Sequence, residues 1–134
     1  MKESDLWGYI RKGMKPYWQA TRIENTTGNG VPDVTYTIVK HGWIELKYIP
    51  KWPVRGPTIV KLPLRPEQKL WIESRGKLAR YVWVICRIED DFFLLNHNQA
   101  VESYEGWRRE EWIERSQIHW HKKIDFLQLA SEIR

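Results

Sequence analysis

Asp33, Glu45 and Lys47 stand close together in VPDVTYTIVKHGWIELKY, residues 31–48. Brought together by folding, two carboxylates make a hard-oxygen site suited to Mg²⁺, or Mn²⁺ in its place, with water and phosphate completing the shell. A cation so held polarises a phosphoryl oxygen and acidifies a bound water. On a strand, Lys47 and Glu45 leave the same face about 7 Å apart. The ammonium could then orient an attacking water or balance charge on a five-coordinate phosphate. The amides of Gly28 to Gly30, with no side chain in the way, could approach a phosphodiester. The bland alternative is a solvated sheet edge with a cross-strand ion pair worth ~0.2–1 kcal/mol.

Elements must position these groups. SDLWGYIRKGM (4–14) repeats Leu6, Ile10 and Met14 every fourth residue, a short amphipathic helix stopped by Pro16, with Ser4 as its natural N-cap. Strands are expected at 17–24 and 34–39, separated by a glycine-rich turn at 25–30, and again at 43–49 after a KHG turn at 40–42. Ile44, Leu46 and Tyr48 then fall on one face, Trp43, Glu45, Lys47 and Ile49 on the other. If residues 39 and 43 pair across a tight turn, Asp33 lies opposite residue 49, about 13 Å from Glu45. That register needs a kink at Pro32 to form the site.

PKWPVRGPTIVKLP (50–63) reads as an extended basic surface loop. RPEQKLWIESRGKL (65–78) reads as a helix with Pro66 in its first turn and Leu70, Trp71, Ser74 and Leu78 along one side. YVWVICRI (81–88) is apolar enough to be buried on both faces, and FFLLN (92–96) follows as a strand. Helical segments are expected at 99–105, 109–117 and KIDFLQLASEI, around a short HWH link. The whole predicts an α/β fold of one domain, with a core at about 4–96, a mixed sheet flanked by helices, and a helical extension at about 97–134.

Pro32-Asp33, eleven intervening residues, then Glu45-Leu46-Lys47 resembles the PD-(D/E)xK nuclease signature. The αβββαβ order matches that family's restriction-endonuclease-like core. GNGVPD and the Gln68 of LRPEQKLW are similar to its Holliday-junction-resolvase-like and VRR-NUC branches. The resemblance implies that Asp33 and Glu45 hold the metal, with the Leu46 carbonyl as a further ligand. It implies that Lys47 serves catalysis and that Gln68 assists near metal or phosphate. It also implies an acid on the first helix, for which Glu3 is preferred over Asp5 and over Glu24 on the next strand. The activity implied is Mg²⁺-dependent hydrolysis of DNA phosphodiesters. Branched DNA is the implied substrate, and a homodimer would supply two active sites. A nuclease of other specificity and a non-catalytic nucleic-acid-binding module are the alternatives.

Net charge is +5 over 134 residues, unevenly spread: +1 over residues 1–39, +7 over 40–80 and −3 over 81–134. The basic middle third suits a polyanion. Within it Lys51, Trp52, Arg55, Lys61 and Arg65 are expected to contact DNA, together with Gly30. Nine Trp residues suggest a contact surface beyond what a core needs, including a dimer interface. Cys86, the lone cysteine, excludes an internal disulfide and sits in an apolar run. His119 and His121 lack a third soft ligand nearby, against a structural zinc site. With no signal-peptide core or stretch of membrane-spanning length, a soluble intracellular, cytoplasmic protein is expected.

Overall fold

Leu6, Ile10 and Met14 are fully buried on α1 (Glu3–Met14), whose polar face meets solvent. The helix begins two residues earlier than a Ser4 cap would allow. Lys2 is the N-cap, and its N–H donates to Asp5 Oδ2 at 2.6 Å. Asp5 thus caps α1, and Glu3 becomes its first residue. The computed structural model describes residues 2–23 and 30–134. Glu24 and Gly28 lie outside these.

The strands are β1 (Gln19–Arg22), β2 (Val34–Thr37), β3 (His41–Ile49), β4 (Val82–Ile88), β5 (Asp91–Asn96) and β6 (Ile118–His121). They lie in that order in one six-stranded sheet. Every neighbouring pair is antiparallel except β3 with β4, which is parallel and is bridged by α2 (Pro66–Ala79). Helices α3 (His97–Glu105), α4 (Arg109–Arg115) and α5 (Phe126–Ile133) complete a mixed α/β architecture, a six-stranded mixed sheet flanked by helices.

The sheet is covered on both faces. On one, Ile44 and Leu46 of β3 pack with α1, Tyr36, Trp83, Phe92 and the α5 residues Leu129 and Ile133. On the other, Val82, Val84, Cys86 and Ile88 of β4 pack with Ile72, Phe93, Trp107 and Trp112. Alternate residues of β4 feed opposite clusters, as its apolar run requires.

Several sequence expectations are corrected. The HWH link is a strand, β6, and extends the sheet. The face of α2 turned inward is Gln68, Ile72 and Gly76. Leu70, Trp71, Ser74 and Leu78 do share one side of α2, and that side is turned outward, with Leu70 and Leu78 61% and 86% exposed. The loop over 50–65 is not wholly superficial: Trp52, Val60, Leu62 and Leu64 are buried. Val60 and Trp107 exchange backbone hydrogen bonds at 2.8 and 3.1 Å. None of the nine Trp is fully exposed: five are buried and Trp7, Trp18, Trp43 and Trp71 are half-buried.

Candidate metal and catalytic centre

The β2–β3 hairpin sets the geometry. Thr37 pairs with His41 and Val34 with Ile44, leaving a three-residue loop at 38–40. Continued one step, this register puts Asp33 opposite Glu45, four residues from the position a tight turn at 40–42 would give. No kink at Pro32 is needed. Gly42, read from sequence as part of a turn, is a buried strand residue. A Cβ there would lie 2.6 Å from the Tyr36 ring. The Tyr36 hydroxyl in turn donates to the Ile133 carbonyl at 2.6 Å, tying β2 to the end of α5.

Asp33 Oδ2 accepts the Leu46 N–H at 2.9 Å, which fixes its carboxyl beside β3. Glu45 is 1% exposed. Its Oε2 accepts from Gln68 Nε2 at 3.0 Å and lies 3.3 Å from Lys47 Nζ. Its Oε1 is buried with no partner. Glu3 arrives from the first residue of α1. Carboxylate oxygens of Glu3, Asp33 and Glu45 all lie within 4.8 Å of one another, and among the described residues they are the one such acidic or His/Cys group.

Three carboxyls cannot all ionise cheaply in so small a space. Burial pushes the Glu45 carboxyl up to about 8, the Asp33 carboxylate adds to the rise, and Lys47 opposes it. The Glu3 carboxyl is raised as well, first by its partial desolvation, with Lys47 lowering it and Asp33 raising it. An orphan oxygen facing two further carboxyls, at a site where negative charge is unfavourable, fits a divalent cation with oxygen preference.

Gln68 holds the centre from a second element. At N3 of α2 its Oε1 accepts the Arg65 N–H at 2.9 Å, closing the first turn behind Pro66. Its amide nitrogen remains free for Glu45. One side chain therefore caps a helix and orients a carboxylate. Gly30 (φ +83) is buried under that same turn, and a Cβ would come 2.3 Å from the Glu67 carbonyl oxygen. Close backbone packing therefore accounts for this glycine. Burial does not leave it as the open phosphate cradle expected from sequence.

The sequence-derived site residues thus separate. Asp33, Glu45, Lys47, Gln68 and Glu3 converge, with Leu46 contributing its amide. Lys51, Arg55, Lys61 and Arg65 are exposed, with Arg65 3.3 Å from Glu67. Trp52 is a correction. It is 6% exposed and packs edge-on against Phe93. Its Nε1 donates to Asp91 Oδ2 at 2.8 Å, so its ring is unavailable to a base. Buried Asp91 is a centre that sequence reasoning missed. Its Oδ1 is bonded by His119 Nε2 at 2.8 Å and His121 Nδ1 at 2.9 Å. Burial would raise the Asp91 carboxyl, but the bonds from His119, His121 and Trp52 outweigh it and hold the carboxyl below its ordinary range. The alternation His-Trp-His was the available signal, since on a strand both rings share one face.

No family model matches the chain, and no curated protein matches it. Its fold is similar to that of Hjc. This Holliday junction resolvase comes from the archaeal hyperthermophile Archaeoglobus fulgidus. The likeness has a TM-score of 0.47 at 15% identity, over 84% of this chain and 96% of that one.

Proposed function

We propose that this chain is a metal-dependent endonuclease that hydrolyses DNA phosphodiester bonds, with branched DNA as its preferred substrate. The observation that carries this reading is the convergence of Glu3, Asp33 and Glu45 within 4.8 Å around the unpartnered Glu45 Oε1, with Lys47 Nζ at 3.3 Å from the same carboxylate. The branched-DNA preference rests on the resemblance of GNGVPD, ELK and Gln68 to the resolvase-like branch of PD-(D/E)xK nucleases.

Asp33, Glu45 and Glu3 would hold Mg²⁺, with the Leu46 carbonyl as a further oxygen donor. The bound cation would polarise the phosphoryl oxygen and supply an acidified water. Lys47, half-buried, keeps its ammonium where a dianionic phosphorane needs positive charge and where an attacking water can be oriented. Gln68 holds Glu45 in one rotamer, so its free oxygen points the same way in every turnover. Exposed Lys51, Arg55, Lys61 and Arg65 would follow the flanking phosphates. A two-fold homodimer would place two such centres on one junction. Its apolar contact would come from Leu70 and Leu78 on α2, since no Trp is fully exposed.

Labelled four-way junction, nicked duplex, linear duplex and single-stranded DNA incubated with and without Mg²⁺ test the reading. The expected result is Mg²⁺-dependent cleavage, fastest on the junction. Asp33→Asn and Glu45→Gln should each reduce the rate by about 10²-fold or more while DNA binding persists. Equal rates on all substrates would remove the branched preference. Tight binding with no cleavage under any divalent cation would reduce the chain to a binding module.

A further inference from the structure

A groove of about 890 Å³ opens on the molecule between α1 and the β1–β2 edge of the sheet, and no residue of the basic 51–65 segment lines it. Arg11, Lys12 and Lys15 project from the α1 side, and Thr21 and Thr35 line the strand side. No carboxylate lines it. Its three cations are exposed, and none is ion-paired among the described residues. Lys51, Arg55 and Lys61 of the other basic segment are likewise exposed and without a carboxylate partner among the described residues, whereas Arg65, Lys69, Arg87, Arg108, Arg109 and Arg115 have one. A cation near a helix C-terminus is favourable for the dipole, worth about 0.3–1 kcal/mol. That effect needs one such residue, and not three beside an open cleft.

The groove and the carboxylate centre share one helix, α1. α1 begins at Glu3 and carries Gly8 and Arg11 into the groove, about 7 and 12 Å further along the helix axis. Asp33 likewise immediately precedes β2, whose Thr35 borders the groove. At Gly8 a Cβ would meet nothing within 4 Å, so the bare helix surface widens the cleft. Trp18 forms part of the wall but lies against Trp7 and Tyr36, at 6.3 and 5.8 Å between ring centroids. Base stacking is therefore not its role. The cleft offers ammonium and guanidinium groups, the chemistry that meets the phosphates of a nucleic-acid backbone.

We infer that this groove holds a second nucleic-acid segment, distinct from the one whose phosphodiester lies at Glu3, Asp33 and Glu45. It rests on the nuclease reading for the identity of the first segment. Two separate basic surfaces, this groove and the 51–65 segment, would engage two arms of a branched substrate and only one arm of a linear one.

Binding measured by fluorescence anisotropy in EDTA, over a range of salt concentrations, tests this without cleavage. The variant Arg11→Gln/Lys12→Gln/Lys15→Gln is compared with the native chain on a four-way junction and on a linear duplex. On the junction the slope of log K against log salt should shrink by about 2–3, since each lost phosphate contact removes about 0.9. On the linear duplex it should change little. Gly8→Glu, which adds bulk and negative charge to the floor while improving helix propensity, should selectively weaken junction binding too. Unaltered junction binding by both variants, or equal losses on both DNAs, would overturn the inference. Intact DNA binding with lost binding to polyglutamate would overturn it in favour of an acidic protein partner. Failure to cleave in Mg²⁺ would count against the nuclease reading and leave these slopes unaffected.

Discussion

Glu45 is the residue on which the centre turns. Its carboxyl, raised from an ordinary 4.5 to about 8, binds a proton in the folded chain across a pH range where the unfolded chain has released it. Folding stability of the metal-free protein should therefore fall as pH rises from about 5 to 8. This one group contributes up to about 1.4 kcal/mol per pH unit. Glu45→Gln should flatten that dependence and stabilise the metal-free chain, and Mg²⁺ should reverse the loss in the native protein alone. Urea denaturation at a series of pH values, with and without Mg²⁺, measures both effects. Gln68→Ala removes the cap of α2 and the bond to Glu45 together. It should cost about 1 kcal/mol of stability. It should also slow cleavage by about 10–100-fold, the usual effect of losing a partner that orients a ligand. Asp33, Glu45 and Lys47 were legible in the sequence because their types and spacing carry chemistry wherever they stand. Glu3 is preferred over Asp5 already in the sequence, and the bond from the Lys2 N–H to Asp5 supplies a structural reason.

At the scale of elements, the hairpin was legible but its register was not. A KHG turn is reasonable from composition, because glycine beside a charged residue commonly marks a reversal. The Tyr36 ring, lying over Gly42, imposes a different requirement that only packing reveals. Moving the loop to 38–40 places Asp33 beside Glu45. Gly42→Ala should therefore displace Tyr36 and weaken its bond to Ile133, destabilising the fold by about 1–3 kcal/mol. Gly30→Ala should do comparable damage, combining a positive φ with a clash against Glu67. Thermal denaturation monitored by circular dichroism checks both. The helical period on α1 identified its buried face correctly. On α2 it grouped Leu70, Trp71, Ser74 and Leu78 on one side but not the stripe that faces the sheet, because Leu70 and Leu78 obey the period as well as Ile72 does.

For the whole molecule, the charged and the aromatic side chains of the middle third end in different places. The basic middle third does carry exposed Lys51, Arg55, Lys61 and Arg65, but the tryptophans interleaved with charge went into the two cores. Trp52 serves Asp91, a carboxylate also bonded by two β6 histidines and lying 3.8 Å from Arg109. Trp52→Phe should leave DNA affinity unchanged and lower stability by about 1–3 kcal/mol, since one buried carboxylate oxygen loses its hydrogen bond. Chemical denaturation and DNA binding of the same preparation separate those effects. The segment beyond residue 97 is likewise integral. It supplies a strand to the sheet, Trp107 and Trp112 to one core, and Leu129 and Ile133 to the other.

Calorimetric titration of metal-free protein with Mn²⁺ or Mg²⁺ bears most directly on the shared-cation centre. Native protein should bind saturably and release about one proton per cation near pH 7, because ionising Glu45 is part of the binding reaction. Asp33→Asn and Glu45→Gln should lose that binding while remaining folded. Unaltered affinity in both variants, or native binding without proton release, would contradict a cation held between these carboxyls.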